Sequence, residues 1–250
     1  MKKLKAPLLF TLPLLPVAAI GAYFSILYQL DFLDASILDP VLAQLGSVEI
    51  LILVYIIQII GYAGFCGFFG HILAGKLGLM GPVSLKKQPL VRTCIWSLGG
   101  GILFSLDYWT FGAWIPGLRE ASDLTLKLNT VMASVLYGGV VEELMLRLFF
   151  MSLIAWVLWK LFFRSQESVP EGVLIAANVI AAVIFAAGHL PATMLLFGGL
   201  TPLLIFRCFL LNGGFGLFFG RIYRKYGIQY AMVAHALLHI VSKLIWFLFV

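Results

Sequence analysis

The sequence predicts an all-α, polytopic bundle of about seven membrane-spanning helices, and three observations carry that reading. Hydrophobic residues make up 62% of the chain and charged residues 11%, with a mean hydropathy of +1.05. Water-soluble domains are roughly half apolar and a quarter charged, so a chain of this composition can hide its side chains only in lipid. Apolar stretches recur along its whole length, and lysine and arginine gather in alternate connections between them. The 250 residues are expected to form a single integral membrane domain, since no polar stretch is long enough for a second, soluble one.

A helix needs about 20 mostly apolar residues to cross the hydrocarbon. Seven segments qualify, at about 6–30, 48–75, 93–115, 129–163, 172–190, 197–220 and 228–250, with six and eight as the neighbouring counts. Backbone in lipid has to satisfy its own hydrogen bonds, and the period-two alternation of a barrel strand is missing, so the segments are helices. Lys2, Lys3 and Lys5 ahead of an apolar run, with Ala19 and Ala22 nearby, have the look of a signal peptide. The run continues to Leu30, longer than a signal core, and is expected to stay as the first span.

The connections then set the orientation. Lys2, Lys3 and Lys5, then Lys76, Lys86, Lys87 and Arg92, then Lys160 and Arg164, then Arg221, Arg224 and Lys225 place twelve of the seventeen Lys and Arg on one side. The first connection instead carries Asp31, Asp34 and Asp39. The positive-inside rule puts the N-terminus in the cytoplasm, with the chain a multi-pass protein of the plasma membrane. The net charge of +6 is a topology signal; no basic stripe with interleaved aromatics suggests nucleic acid. Cys66, Cys94 and Cys208 lie far apart in apolar runs and read as small hydrophobes. Glycine pairs at 99–101, 138–139, 198–199 and 213–214 suit close helix packing.

Ionisable residues deep in hydrocarbon are costly, so each needs a partner or a function. In the fourth span Glu142 and Glu143 stand side by side, and Arg147 lies four residues after Glu143, on the same helical face. Glu142 points about 100° away and has no partner in its own segment. A carboxylate left unpaired in a membrane suits a general base. His189 closes the fifth span before Pro191, where a histidine alone is as readily a capping group. His235 and His239 are one turn apart on one face of the last span, a spacing that suits paired hydrogen-bond donors, two metal ligands or packed neutral rings. Asp107, Arg207 and Lys243 also fall in spans, with Asp107 a candidate partner for either cation.

Glu142-Glu143-x-x-x-Arg147, then Phe185-x-x-x-His189, then His235-x-x-x-His239, in that order on apolar spans, resembles the CAAX protease and bacteriocin-processing (Abi) family of intramembrane endopeptidases. The resemblance covers roughly residues 130–240. It implies that Glu142 activates the attacking water with help from His189, that His235 helps stabilise the oxyanion, and that Glu143 and Arg147 orient the site. One position departs from the family pattern: many members carry Asn where this chain has His239. An imidazole can still donate to an oxyanion, so the preferred mechanism is metal-independent hydrolysis with His235 and His239 as donors and no cofactor. Glu142, His189, His235 and His239 are also a plausible zinc set, which gives a metalloprotease as the rival. A proton or metal-ion transporter and a non-catalytic bacteriocin self-immunity protein are the readings from other classes; no inverted repeat supports the transporter. The resemblance implies a membrane-associated peptide or protein as partner: prenylated C-terminal tails, bacteriocin leader peptides or regulatory membrane peptides.

Overall fold

The computed structural model describes residues 2–81 and 83–250, apart from the side chains of Lys2, Lys3 and residues 122–125. The Lys2 and Lys3 charges that enter the orientation expectation therefore lie outside the described side chains. Among the described residues all regular structure is helical. Seven helices are long and apolar enough to cross a membrane: Leu4–Leu30, Val48–Lys76, Lys87–Ala113, Leu128–Phe162, Glu171–Phe197, Pro202–Tyr226 and Ile228–Phe249. They are called here the first to seventh spans.

Their ends follow local chemistry. Ser47 Oγ accepts from Ile50 N at 3.3 Å to cap the second span, and Thr201 Oγ1 accepts from Leu204 N at 3.2 Å to cap the sixth. Between the first two spans, Asp34 caps the short helix Ala35–Leu45 by accepting from Ser36 N at 2.8 Å. That hydrogen bond holds its carboxyl below the usual carboxylate range.

The fifth span departs from the sequence expectation, which ended it at residue 190. The helix Glu171–Gly188 turns at His189 and continues as Leu190–Phe197. Pro191 sits in the first turn of the continuation, where its missing N–H is no loss, so it redirects the helix without ending it. Gly198, at φ 68°, makes the real stop, and the sixth span begins at Pro202 instead of residue 197. The third span likewise starts at Lys87 and the sixth runs to Tyr226. Lys87, Arg92, Arg221, Arg224 and Lys225 thus lie on helix ends, where long basic side chains reach the interface.

The fourth span is the axis of the bundle. It packs against the first, second, fifth and seventh spans, and from Ala133 to Met151 it winds as a π-helix. Such winding is rare, is usually a single turn, and often marks functional sites. A second π segment, Phe209–Gly213 in the sixth span, lies against the fifth.

Several close approaches rely on glycine. A Cβ at Gly21 would lie 2.8 Å from the backbone N of Tyr137, one at Gly101 2.6 Å from Val241 Cβ, and one at Gly139 3.0 Å from Ala236 Cβ. Gly99, Gly198, Gly199 and Gly214, expected to serve in the same way, face open space. Gly70 stands against the Leu148 backbone, 2.9 Å from where its Cβ would be. Gly70→Ala is therefore expected to destabilise the bundle by about 1–3 kcal/mol through overpacking, although alanine is the better helix former. Thermal unfolding in detergent checks this; an unchanged or raised midpoint would mean that the second and fourth spans can part freely.

Buried polar groups tie the spans together. Trp246 Nε1 donates to Ser105 O at 2.8 Å, and Ser152 Oγ and Tyr223 OH are 2.8 Å apart. Arg207 Nε donates to Asp107 Oδ1 at 2.7 Å, which identifies Asp107 as the partner of Arg207. The first span packs on the second and fourth with Ala18 and Ala22 fully buried.

Candidate active site

The fourth, fifth, sixth and seventh spans meet around one polar cluster. Glu143 is fully buried, and its Oε1 lies 3.2 Å from Arg147 Nη1 and 2.8 Å from His235 Nδ1. The i,i+4 pair expected from the sequence is thus formed, and the structure adds the histidine. The Arg147 guanidinium carbon lies 4.4 Å from the Phe185 ring centre and 5.4 Å from that of Phe219. Two aromatic faces therefore accept the cation where no water can. Phe219 also stacks on His235, with centroids 4.3 Å apart and planes at 16°. Nothing in its sequence neighbourhood singled out Phe219 among the 21 phenylalanines.

The hydrogen bonds fix which ring nitrogen carries a proton. A carboxylate facing an arginine can only accept, so His235 Nδ1 donates to Glu143, and in the neutral ring Nε2 is left with a lone pair. That Nε2 is 3.2 Å from His239 Nε2 and 3.9 Å from Glu142 Oε2. His239 must then supply the hydrogen shared by the two rings. Its ring packs edge-on to Phe104, with centroids 5.6 Å apart. His189 is held differently. Its Nδ1 donates to Phe185 O at 2.8 Å, which leaves Nε2 as the acceptor of the neutral ring.

Glu142 differs from its neighbour in having 19% of its side chain exposed, against none for Glu143. Across from it, the seventh span comes close because residue 138 is glycine. A Cβ there would sit 3.4 Å from His235 Nε2 and 3.8 Å from Glu142 Oε2, in contact with both groups. Gly138→Ala is expected to lower any activity of this site sharply while leaving unfolding temperature unchanged or slightly raised, since alanine favours the helix by up to about 1 kcal/mol. Activity equal to wild type would mean that the space is not used.

Glu142, Glu143, Arg147, His235 and His239 are thus brought together directly. His189 joins through Phe185, whose ring centre is 4.6 Å from that of His189 and 6.2 Å from that of His235. Lys243, buried at 6% exposure one turn beyond His239, makes no ion pair among the described residues. Also among the described residues, no three His, Cys, Asp or Glu side chains group closely enough to hold a metal ion. The four residues of the rival zinc set are not grouped as a metal site among the described residues.

Residues 125–241 match the model of a protein family described as type II CAAX prenyl endopeptidase Rce1-like. That stretch contains every residue of the cluster on the fourth, fifth and seventh spans, and Phe219 on the sixth. No curated protein and no solved structure matches the chain.

Proposed function

We infer, from the match of residues 125–241 to the model of the Rce1-like family of type II CAAX prenyl endopeptidases, that the chain hydrolyses a membrane-associated peptide with a water seated on Glu142, in the gap towards His235. The observation that carries this reading is the 3.9 Å separation of Glu142 Oε2 and His235 Nε2. That distance is too long for a direct hydrogen bond and leaves the Glu142 carboxylate a free side for a water.

In the proposed reaction Glu142 Oε2 takes a proton from the water, and the oxygen attacks the scissile carbonyl. His189 Nε2, an acceptor in the neutral ring, holds the second hydrogen and so aims the oxygen. As the carbonyl oxygen becomes an oxyanion, the Nε2–H of His239 is the one donor that the histidine pair can turn towards it. His235, fixed by Glu143, cannot donate from Nε2 while neutral. It serves as the resting acceptor for His239, which narrows the expectation that both rings donate. Protonated Glu142 then passes its proton to the leaving amine as the C–N bond breaks. A positioned base contributes about 10²–10⁴-fold and an oxyanion donor about 10²–10³-fold. Both act more strongly in the apolar bundle than in water.

The reading is metal-free, with the site inside a multi-pass membrane protein whose N-terminus the charge bias assigns to the cytoplasm. It is tested by reconstituting the protein in lipid vesicles and following prenylated tail peptides and leader peptides by mass spectrometry, with and without a strong chelator. Cleavage is expected to survive the chelator. Cleavage lost on chelation and restored by zinc would move the water onto a metal.

A further inference from the structure

A second polar site lies away from the histidines, where the second and sixth spans end and the seventh begins. A cavity of about 180 Å³ opens there, lined among others by Gly78, Gly81, Arg224, Lys225, Tyr226 and Gly227. No Asp or Glu is among its lining residues.

Its donors are in surplus. The outer end of the Arg224 guanidinium pairs with Glu171, but its Nε–H is buried and meets no acceptor among the described residues. The Tyr226 hydroxyl is also buried without a partner among them. The Lys225 ammonium is held 5.5 Å from the Tyr226 ring centre and 5.9 Å from that of Trp96. The 22-residue helix of the seventh span starts at Ile228, and its cap, Gly227, has no side chain to satisfy the first N–H groups. The positive end of that helix therefore faces the same space. A buried donor without an acceptor is costly, and with Glu171 taken up by Arg224, the Lys225 ammonium and the uncapped helix end have no anion beside them among the described residues.

The walls are fixed in place. Ser84 O accepts from Gln229 Nε2 at 3.3 Å and from Tyr230 OH at 3.1 Å, while Lys86 N donates to Tyr230 OH at 2.7 Å. The connection after the second span is thereby pinned to the first turn of the seventh. The cavity also sits at the end of three spans, where the basic residues gather and where lipid phosphates lie.

We propose that this cavity binds the phosphate of an anionic phospholipid headgroup. Its donors match a phosphate oxyanion. A zwitterionic headgroup would bring its own ammonium up to Arg224 and Lys225. The seventh span links the cavity to the histidines, since His235 lies about two helical turns beyond the rim. The bound lipid would thus steady the helix that carries His235 and His239. The proposal does not rest on the endopeptidase reading.

The test is native mass spectrometry of the protein released from vesicles of mixed phosphatidylglycerol and phosphatidylcholine. A single phosphatidylglycerol is expected to be retained in preference. Lys225→Gln, which leaves the Arg224–Glu171 pair intact, and Arg224→Gln are each expected to lower that retention about fivefold, as for the loss of one cation near an anionic surface. Arg221→Gln, an exposed cation on the same helix outside the cavity, is expected to change nothing. Equal retention of the two lipids, or an equal loss in Arg221→Gln, overturns the proposal in favour of general surface attraction. Displacement of the lipid by inorganic phosphate at matched concentration overturns it in favour of a free-anion site.

Discussion

Glu142→Gln is expected to reduce peptide hydrolysis by about 10²–10⁴-fold, the usual contribution of a positioned base, with the bundle still folded. The amide keeps the shape of the side chain but cannot take a proton from water. Glu142 is the one carboxylate of the cluster with part of its surface free, and the neutral His235 ring lies 3.9 Å away. No buried pair is broken by the change, so unfolding temperature should stay near that of wild type. Parallel cleavage assays and thermal unfolding in detergent check both halves. Activity within a few-fold of wild type would place the base elsewhere, with His235 Nε2 the next group in reach.

The second large effect concerns stability. Glu143→Gln is expected to destabilise the protein by about 3–5 kcal/mol, the cost of leaving one partner of a buried ion pair uncompensated, and to abolish hydrolysis with it. Glu143 and Arg147 are buried to within 3% of complete, and the same carboxylate oxygen fixes His235. The neutral amide leaves Arg147 charged between two phenylalanine rings and weakens the bond that sets the His235 tautomer. Arg147→Met in the Glu143→Gln background is expected to recover much of the stability and none of the activity, because the charge is gone while the histidine stays unfixed. A double-mutant cycle on unfolding free energy measures the coupling, expected within about 0.5–3 kcal/mol. Additive effects would mean that the two side chains do not act as a pair. The contrast between adjacent glutamates is diagnostic: one change removes chemistry alone, the other removes the support as well.

The spans were legible in the sequence because hydrocarbon thickness sets their length and lipid excludes charge. Their ends were less so. Pro191 reads as the end of a helix, yet in the first turn of Leu190–Phe197 it costs nothing. Ending the span there strands His189 at the outer boundary, too far along the bundle to meet His235. With the span running from Glu171 to Phe197, His189 lies well inside it and shares Phe185 with His235. The Glu143–Arg147 pair was legible from its spacing. The Glu143–His235 bond was not, because it depends on two helices meeting at Gly138 and Gly139, and a glycine pair does not say which helix it faces. Asp107 and Arg207 are 100 residues apart, and their opposite charges could suggest a pair without deciding between Arg207 and Lys243. The π winding of the fourth span leaves no composition signal that separates it from ordinary helix.

In the proposed hydrolysis a free water, activated by Glu142, attacks the peptide bond. Single-turnover cleavage in ¹⁸O-labelled water, with the wild-type protein in lipid vesicles, distinguishes this from attack by a side chain. One labelled oxygen is expected in the new carboxyl group of the product formed in the first turnover. An unlabelled first-turnover product would instead mean that a side-chain oxygen attacks the carbonyl, and a peptide left intact would remove the hydrolytic role altogether.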